Sequence, residues 1–216
     1  VTSLGACNVP VDEWELDIVA SGSQKGYMIP PGLSFIAMSQ KAWEATEKSN
    51  LPKFYLNLKS YKKSLLSNSN PYTPAVNLVF ALDEALKMMK EEGLDNIFLR
   101  HNRHKLAMSN AIKALNLELF ADEEYLSPSV TAIKTGEMDA EEFRKIIKNK
   151  FDILLAGGQD NLKGKIFRVG HLGYVNDRDI ITVVSAISNA LLDLGKITPQ
   201  QAGDALVIAS KHLERN

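Results

Sequence analysis

The chain has 216 residues, enough to bury a substantial core in one large domain or two small ones. Hydrophobic residues make up 45% and charged residues 24%, with a formal net charge of -1, a balance that argues against a nucleic-acid binder or a polybasic membrane module. The single cysteine, Cys7, excludes an internal disulfide or a Cys-rich metal site and fits a reducing cytoplasm; neither an apolar run of about 18 residues nor a basic-then-apolar leader occurs.

In chain order, the opening Val1-Thr2-Ser3-Leu4-Gly5-Ala6 has no methionine and no capping signal, as if cut inside a structural element. Strands are predicted over residues 17–22 and 33–39, and between them lies the turn Ser21-Gly22-Ser23-Gln24-Lys25-Gly26. A surface loop lysine has polar neighbours on both sides. Lys25 instead stands between an apolar run and a Pro30-Pro31-Gly32 turn that enters another, so partial desolvation is expected. Desolvation makes an amine easier to deprotonate and a usable nucleophile. Residues 60–72 read as a polar loop rich in Asn and Ser.

A helix follows from Pro74 to Glu92, with Val76, Val79, Phe80, Leu82, Leu86 and Met89 at helical spacing and Gly93 as its stop. Asn96 to Leu117 is a second helix, on which Leu99, Leu106, Ile112 and Leu115 fall close to one face. His101 and His104, among Arg100, Arg103 and Lys105, are placed on its solvated side, where the positive charge discourages a metal. A strand is predicted at 129–134, then a helix from Asp139 with acidic Glu141 and Glu142 in its first turn. Strands at 152–155 and 166–170 precede a terminal helical pair, Asn176–Leu194 and Thr198–Leu213, the latter opened by an N-cap Thr and Pro199 at its first position. The alternation is that of an α/β protein, with a boundary near residues 93–120 that divides residues 1–100 from 101–216.

Two further positions carry chemistry. Thr73, with Asn70 before it, stands just ahead of the helix at Pro74, where a hydroxyl and free N–H groups suit either a phosphate or a plain N-cap. Arg168 lies inside the apolar run Ile166-Phe167-Arg168-Val169-Gly170 and needs a partner, either a substrate carboxylate or a structural acid. His171, in the Gly-His-Leu-Gly turn that follows, reads as structural.

The strings VTSLGA, DIVASGSQKGYMIPPGLSFIAMS, SNPYTPAVNLVFALDEAL and FRVGHLG, in that order, resemble class V (fold type I) pyridoxal-phosphate enzymes. The nearest branch is that of the serine/alanine–glyoxylate aminotransferases, which includes cyanobacterial proteins labelled soluble hydrogenase small subunit. That resemblance implies a fold type I transferase fold, of which this chain supplies the C-terminal part of the large domain and a small α/β domain. It implies pyridoxal 5′-phosphate held as a Schiff base on Lys25, with Gln24 helping to hold the phosphate, Val1 packed on the pyridine ring and Arg168 on the substrate carboxylate. The Asn70–Thr73 loop would reach the partner's cofactor across a homodimer. The reaction implied is transamination between serine or alanine and glyoxylate or pyruvate.

In the family pattern an aspartate two residues before Val1 pairs with the ring nitrogen, so this segment alone is expected to lack bound cofactor and activity. Cysteine desulfurases carry His where Gln24 stands and need a mobile catalytic cysteine, for which Cys7 is misplaced. Hydrogen activation at a metal cluster needs several thiolates, and one cysteine cannot supply them. Desulfurase or lyase chemistry, and a non-catalytic structural role, stand as alternatives.

Overall fold

The computed structural model describes residues 2–214. Val1, read above as a ring-packing residue, lies outside them. Strands β1 (Ile18–Gly22) and β2 (Ser34–Met38) form an antiparallel ribbon with Ala20 opposite Ile36, close to the predicted bounds. The long turn between them is braced by Ser23, whose Oγ donates to the Pro30 carbonyl at 2.7 Å and accepts from the Leu33 N–H at 3.1 Å.

Helix α1 (Gln40–Lys48) starts at Ser39, whose Oγ accepts from the Ala42 N–H and donates to Asp17 Oδ1 at 2.6 Å. The predicted loop at 60–72 is helical in its first half: α2 (Leu58–Leu66) is capped by Asn57. Polar composition alone suggests a loop, but the Asn57 cap and the Lys59–Glu47 ion pair to α1 (2.7 Å) stabilise a helix there. Helix α3 (Val76–Glu92) begins two residues later than expected, with Ala75 as its N-cap and no side-chain cap bond, so Thr73 is not the cap. Its predicted apolar stripe faces outward at Val76, Val79 and Phe80, and only Ala85 and Met89 are buried.

Gly93 alone separates α3 from α4 (Leu94–Ala114). Here the expected buried face is rotated. Leu99 and Leu106 are exposed, whereas Ile97, His101, His104, Met108, Ala111 and Ile112 are buried at the i, i+4, i+7 spacing of one helical stripe. The correction is largest for the two histidines, which are 1% and 0% exposed rather than solvated.

A four-stranded antiparallel sheet follows, in the order β3 (Glu118–Leu119), β4 (Val130–Lys134), β6 (Ile166–Gly170), β5 (Ala156–Gly157). The strand expected at 152–155 is instead a connection, because Asp152 takes the left-handed conformation that ends α5 (Ala140–Phe151). Asp139 caps α5 through bonds to the Glu141 and Glu142 N–H groups. Capping boxes open α6 (Asp177–Asp193) at Asn176 and α7 (Pro199–Leu213) at Thr198, the latter at the N-cap expected from sequence.

Ile133, Phe167 and Val169 face one side of the sheet and pack into a core with α4, α5, α6 and α7, with the Phe143 and Phe167 rings 5.2 Å apart. Burial of each such side chain is worth about 2–3 kcal/mol. Among the described residues, no helix is long and apolar enough to cross a membrane.

His171 joins this core in neutral form. Its Nδ1 donates to the Pro128 carbonyl at 3.0 Å, so its Nε2 accepts from the Thr131 hydroxyl at 2.9 Å. Burial pushes its pKa down from 6.5 to about 4. Because the folded value is depressed, the unfolded chain takes up a proton first as pH falls below 6.5. Stability is therefore full above that pH and declines by about 3 kcal/mol as pH approaches 4. The His171 imidazole should stay neutral at pH 5.5 by nuclear magnetic resonance while the urea midpoint falls; titration near 6.5 would contradict this.

Candidate active site

Lys25 is half-buried on the β1–β2 turn, and its amine has no hydrogen bond or ion pair among the described residues. Three contacts fix the turn. The first is the Ser23 brace. The second is close backbone packing at Gly26, where a Cβ would lie 2.1 Å from the Leu4 carbonyl oxygen and 3.0 Å from Gly5 Cα. The third comes from the loop after β6: a Cβ on Gly173 would meet Met28 Cγ at 3.2 Å, with the Lys25 carbonyl oxygen at 3.8 Å. Gln24 is exposed beside Lys25, and its carboxamide folds over Gly22.

Arg168 occupies the centre of β6, between Ala132 of β4 and Ala156 of β5. Alternation along β6 turns it away from the helical core that takes Phe167 and Val169. Its Nε donates to the Gly157 carbonyl at 2.9 Å. No acid pairs with its guanidinium among the described residues, so the structural ion pair considered from sequence is absent there. The small neighbours leave its outer nitrogens open to a ligand, and a planar fork suits a carboxylate.

Asn70 and Thr73 are both exposed and line an open hollow formed by residues 68–74 alone. The start of α3 does meet the far end of the Lys25 turn, where a Cβ on Gly32 would lie 2.5 Å from Leu78 Cδ1. The structure therefore brings the Lys25 turn to the loop leaving the Arg168 strand, while Asn70 and Thr73 line a hollow that does not include Lys25.

That loop, residues 171–176, is held from α4. Arg100 Nη1 donates to the carbonyls of Gly173 and Val175, both at 2.9 Å, while its other nitrogens form a two-pronged pair with Glu92 at 2.6 and 2.9 Å. The guanidinium holds the Glu92 carboxyl below its usual range. The Gly173 N–H donates to His101 Nε2 at 3.1 Å. His104 Nε2 donates to Asp177 Oδ1 at 2.9 Å, at the start of α6. Burial lowers the pKa of both His101 and His104, against the pull of Ile97 and Asp177 respectively. From sequence, His101 and His104 stand out only as solvated residues among cations, and Glu92, Arg100 and Asp177 have no holding role. The signal available was the shared stripe of Ile97, His101, His104 and Met108, which periodicity anchored on leucines overlooked.

The class V aminotransferase family model matches residues 1–175. The chain belongs to the class V aminotransferase family. Enzymes of this family use pyridoxal phosphate. The chain is 58% identical over 195 residues to a protein of Anabaena cylindrica named soluble hydrogenase 42 kDa subunit, covering 90% of this chain and 51% of that one. It is 35% identical to the serine–glyoxylate aminotransferase of Methylorubrum extorquens, covering all of this chain and 55% of that protein. In structure it is similar to the ureidoglycine–glyoxylate aminotransferase of Bacillus subtilis, with a TM-score of 0.88, 29% identity, and coverage of 97% of this chain and 56% of that one. The chain thus spans about half the length of the curated relatives it matches.

The donor set fits the family's cofactor: an unpartnered, half-buried amine suits an aldehyde, and an exposed carboxamide beside it suits a phosphate. The close approach at Gly26 makes the turn sensitive to a single methyl. Gly26→Ala should lower stability by about 1–3 kcal/mol. Gly203, in α7, has open space around its Cβ, so Gly203→Ala should instead raise stability by about 0.5–1 kcal/mol. Denaturant midpoints of the two variants check this, and a Gly26→Ala protein as stable as wild type would contradict the packing.

Proposed function

We propose that the full-length protein transfers an amino group between a small amino acid, serine or alanine, and a 2-oxo acid, glyoxylate or pyruvate. The observation that carries this reading is the pairing of a free Lys25 amine with an Arg168 that has no acid partner, on segments packed together. The printed names of relatives support it, since serine–glyoxylate and aspartate–glyoxylate aminotransferases are among them.

In this proposal Lys25 attaches pyridoxal 5′-phosphate, and Gln24 helps hold its phosphate. When bound, the cofactor supplies an electron-withdrawing ring that takes up the electron pair left when the substrate's Cα–H bond breaks. Lys25 Nζ would hold the cofactor by its aldehyde and, as a free amine, would serve as the base that takes and returns the substrate's Cα proton. Arg168 accepts the substrate carboxylate in its open fork and so sets which Cα bond faces Lys25.

Partners and place belong to the same proposal. We assign residues 1–100 to the cofactor-binding large domain and residues 101–216 to the small domain. Thr73 and Asn70, exposed in a hollow whose lining does not include this chain's own Lys25, are assigned to the cofactor phosphate of a second subunit in a homodimer. The apolar side chains exposed at Leu51, Phe54, Leu56, Leu65, Leu66 and Phe80 support extensive burial against further protein. A single cysteine fits a cytoplasmic location. Cysteine desulfurase chemistry is disfavoured by Gln24 and by Cys7, which sits half-buried with Sγ 3.7 Å from the Ser3 carbonyl.

Two variants test the reading in the full-length protein. Lys25→Ala should abolish the cofactor's visible absorbance band and the turnover of alanine or serine with glyoxylate; a band that persists unchanged would refute the assignment. Arg168→Ala should keep the band but raise KM for amino acid and 2-oxo acid alike. Loss of a charge-assisted carboxylate pair is worth roughly 1.5–3 kcal/mol, or about ten- to a hundredfold. Wild-type kinetics in that variant would remove Arg168 from the role.

A further inference from the structure

Gly173 is the point at which the two proposed reactive residues are mechanically joined. It is buried, and its φ of +84° lets the chain leave β6 and turn sharply toward the Asn176 cap of α6. On one side its missing Cβ leaves room for Met28 and the Lys25 carbonyl. Five residues upstream in the same segment stands Arg168. Both polar backbone groups of Gly173 are held by consecutive residues of α4: Arg100 donates to its carbonyl, and His101 accepts from its N–H.

The second of these bonds fixes the state of His101. A backbone N–H can only donate, so Nε2 must be the unprotonated nitrogen. Nδ1 then carries the hydrogen and donates to the Ile97 carbonyl at 2.8 Å. The ring is 1% exposed and spans directly from the α4 backbone to the loop backbone. Few side chains can do this. The position needs an acceptor at the end of a rigid arm, and a charged acceptor would face the burial cost alone.

We propose that His101 is a positioning residue for the transamination, fixing the 171–176 loop through the Gly173 N–H and thereby setting Lys25 and Arg168 relative to each other. This rests on the assignment of those two residues given above. Arg100 alone does not suffice for the task, because it bonds carbonyls at two points of the loop and leaves the direction of the Gly173 N–H unset. Without His101 that N–H is buried with no acceptor, and the peptide can satisfy it only by rotating, which moves the surface that Met28 and Lys25 rest on.

A merely structural histidine would give a different pattern under substitution. His101→Leu keeps the volume and removes the acceptor. His101→Gln keeps an acceptor at about the reach of Nε2 and cannot titrate. Both are to be made in the full-length protein, alongside Lys25→Ala. In the cofactor-free form, hydrogen exchange should speed up in His101→Leu at residues 22–29 and 171–176, with the α5–α7 core unchanged, and His101→Gln should restore most of the protection. In the loaded form, His101→Leu should raise KM for glyoxylate by about tenfold or more, the loss expected from one unpaired buried donor, and His101→Gln should recover most of it.

Wild-type exchange and KM in His101→Leu would overturn the proposal. So would exchange that rises evenly over the whole domain with no rescue by His101→Gln, since that is the mark of a plain core residue. If His101→Leu does not fold, Gly173→Ala presses on Met28 directly with His101 intact. It should speed exchange at 22–29 and raise KM, and no change there would overturn the coupling. Loss of the visible band in Lys25→Ala, read separately, reports on the parent assignment and not on His101.

Discussion

Gly173 has its N–H and carbonyl held by His101 and Arg100 and its open side against Met28 and the Lys25 turn, and most of the candidate site depends on that arrangement. The helix supplying both side chains, α4, also provides Met108, Ala111 and Ile112 to the central core. Its position is therefore fixed by hydrophobic burial worth far more than any single bond in the loop. The loop is thus held by a rigid element, and through it the β1–β2 turn is held in place relative to β6. A methyl at residue 173 or a lost acceptor at residue 101 acts on chemistry without touching a reacting atom.

Three buried histidines share this region, each with a separate task. His101 accepts from the loop, His104 donates to Asp177 at the start of α6, and His171 links Pro128 to Thr131 at the end of β4 and β6. Burial lowers the pKa of all three, so each is held neutral, and each neutral ring offers one donor and one acceptor. His104 Nδ1 and Arg103 Nε are buried with no partner. At residues 101 and 171 a neutral imidazole reaches two backbones, or a backbone and a side chain, without placing a charge in the core.

Much of the architecture was readable from local rules. The β1–β2 ribbon, β6, and the capped starts of α5, α6 and α7 all lie where turn and capping chemistry put them, because those signals act within a few residues. What escaped depended on contacts distant in sequence. α2 forms with no buried residue, supported by a cap and an ion pair to α1. The outward stripe of α3 and the buried stripe of α4 are set by what lies against them, which periodicity alone does not contain. The histidines looked solvated because their sequence neighbours are cationic, yet those cations are themselves drawn inward, Arg100 to Glu92 and the 171–176 loop and Arg103 toward Asp177. At the site, Lys25 and Arg168 were legible as residue types in unusual surroundings, whereas Gly173 and His101 acquire meaning only once the loop and the helix meet.

The central claim is that Lys25 is the point of cofactor attachment in a class V aminotransferase. The most direct measurement is borohydride reduction of the full-length, cofactor-loaded protein followed by peptide mapping with mass spectrometry. A pyridoxyl adduct is expected on the peptide containing Lys25, in near one-to-one amount with the bound cofactor. An adduct on a different lysine, or none despite bound cofactor, would contradict it.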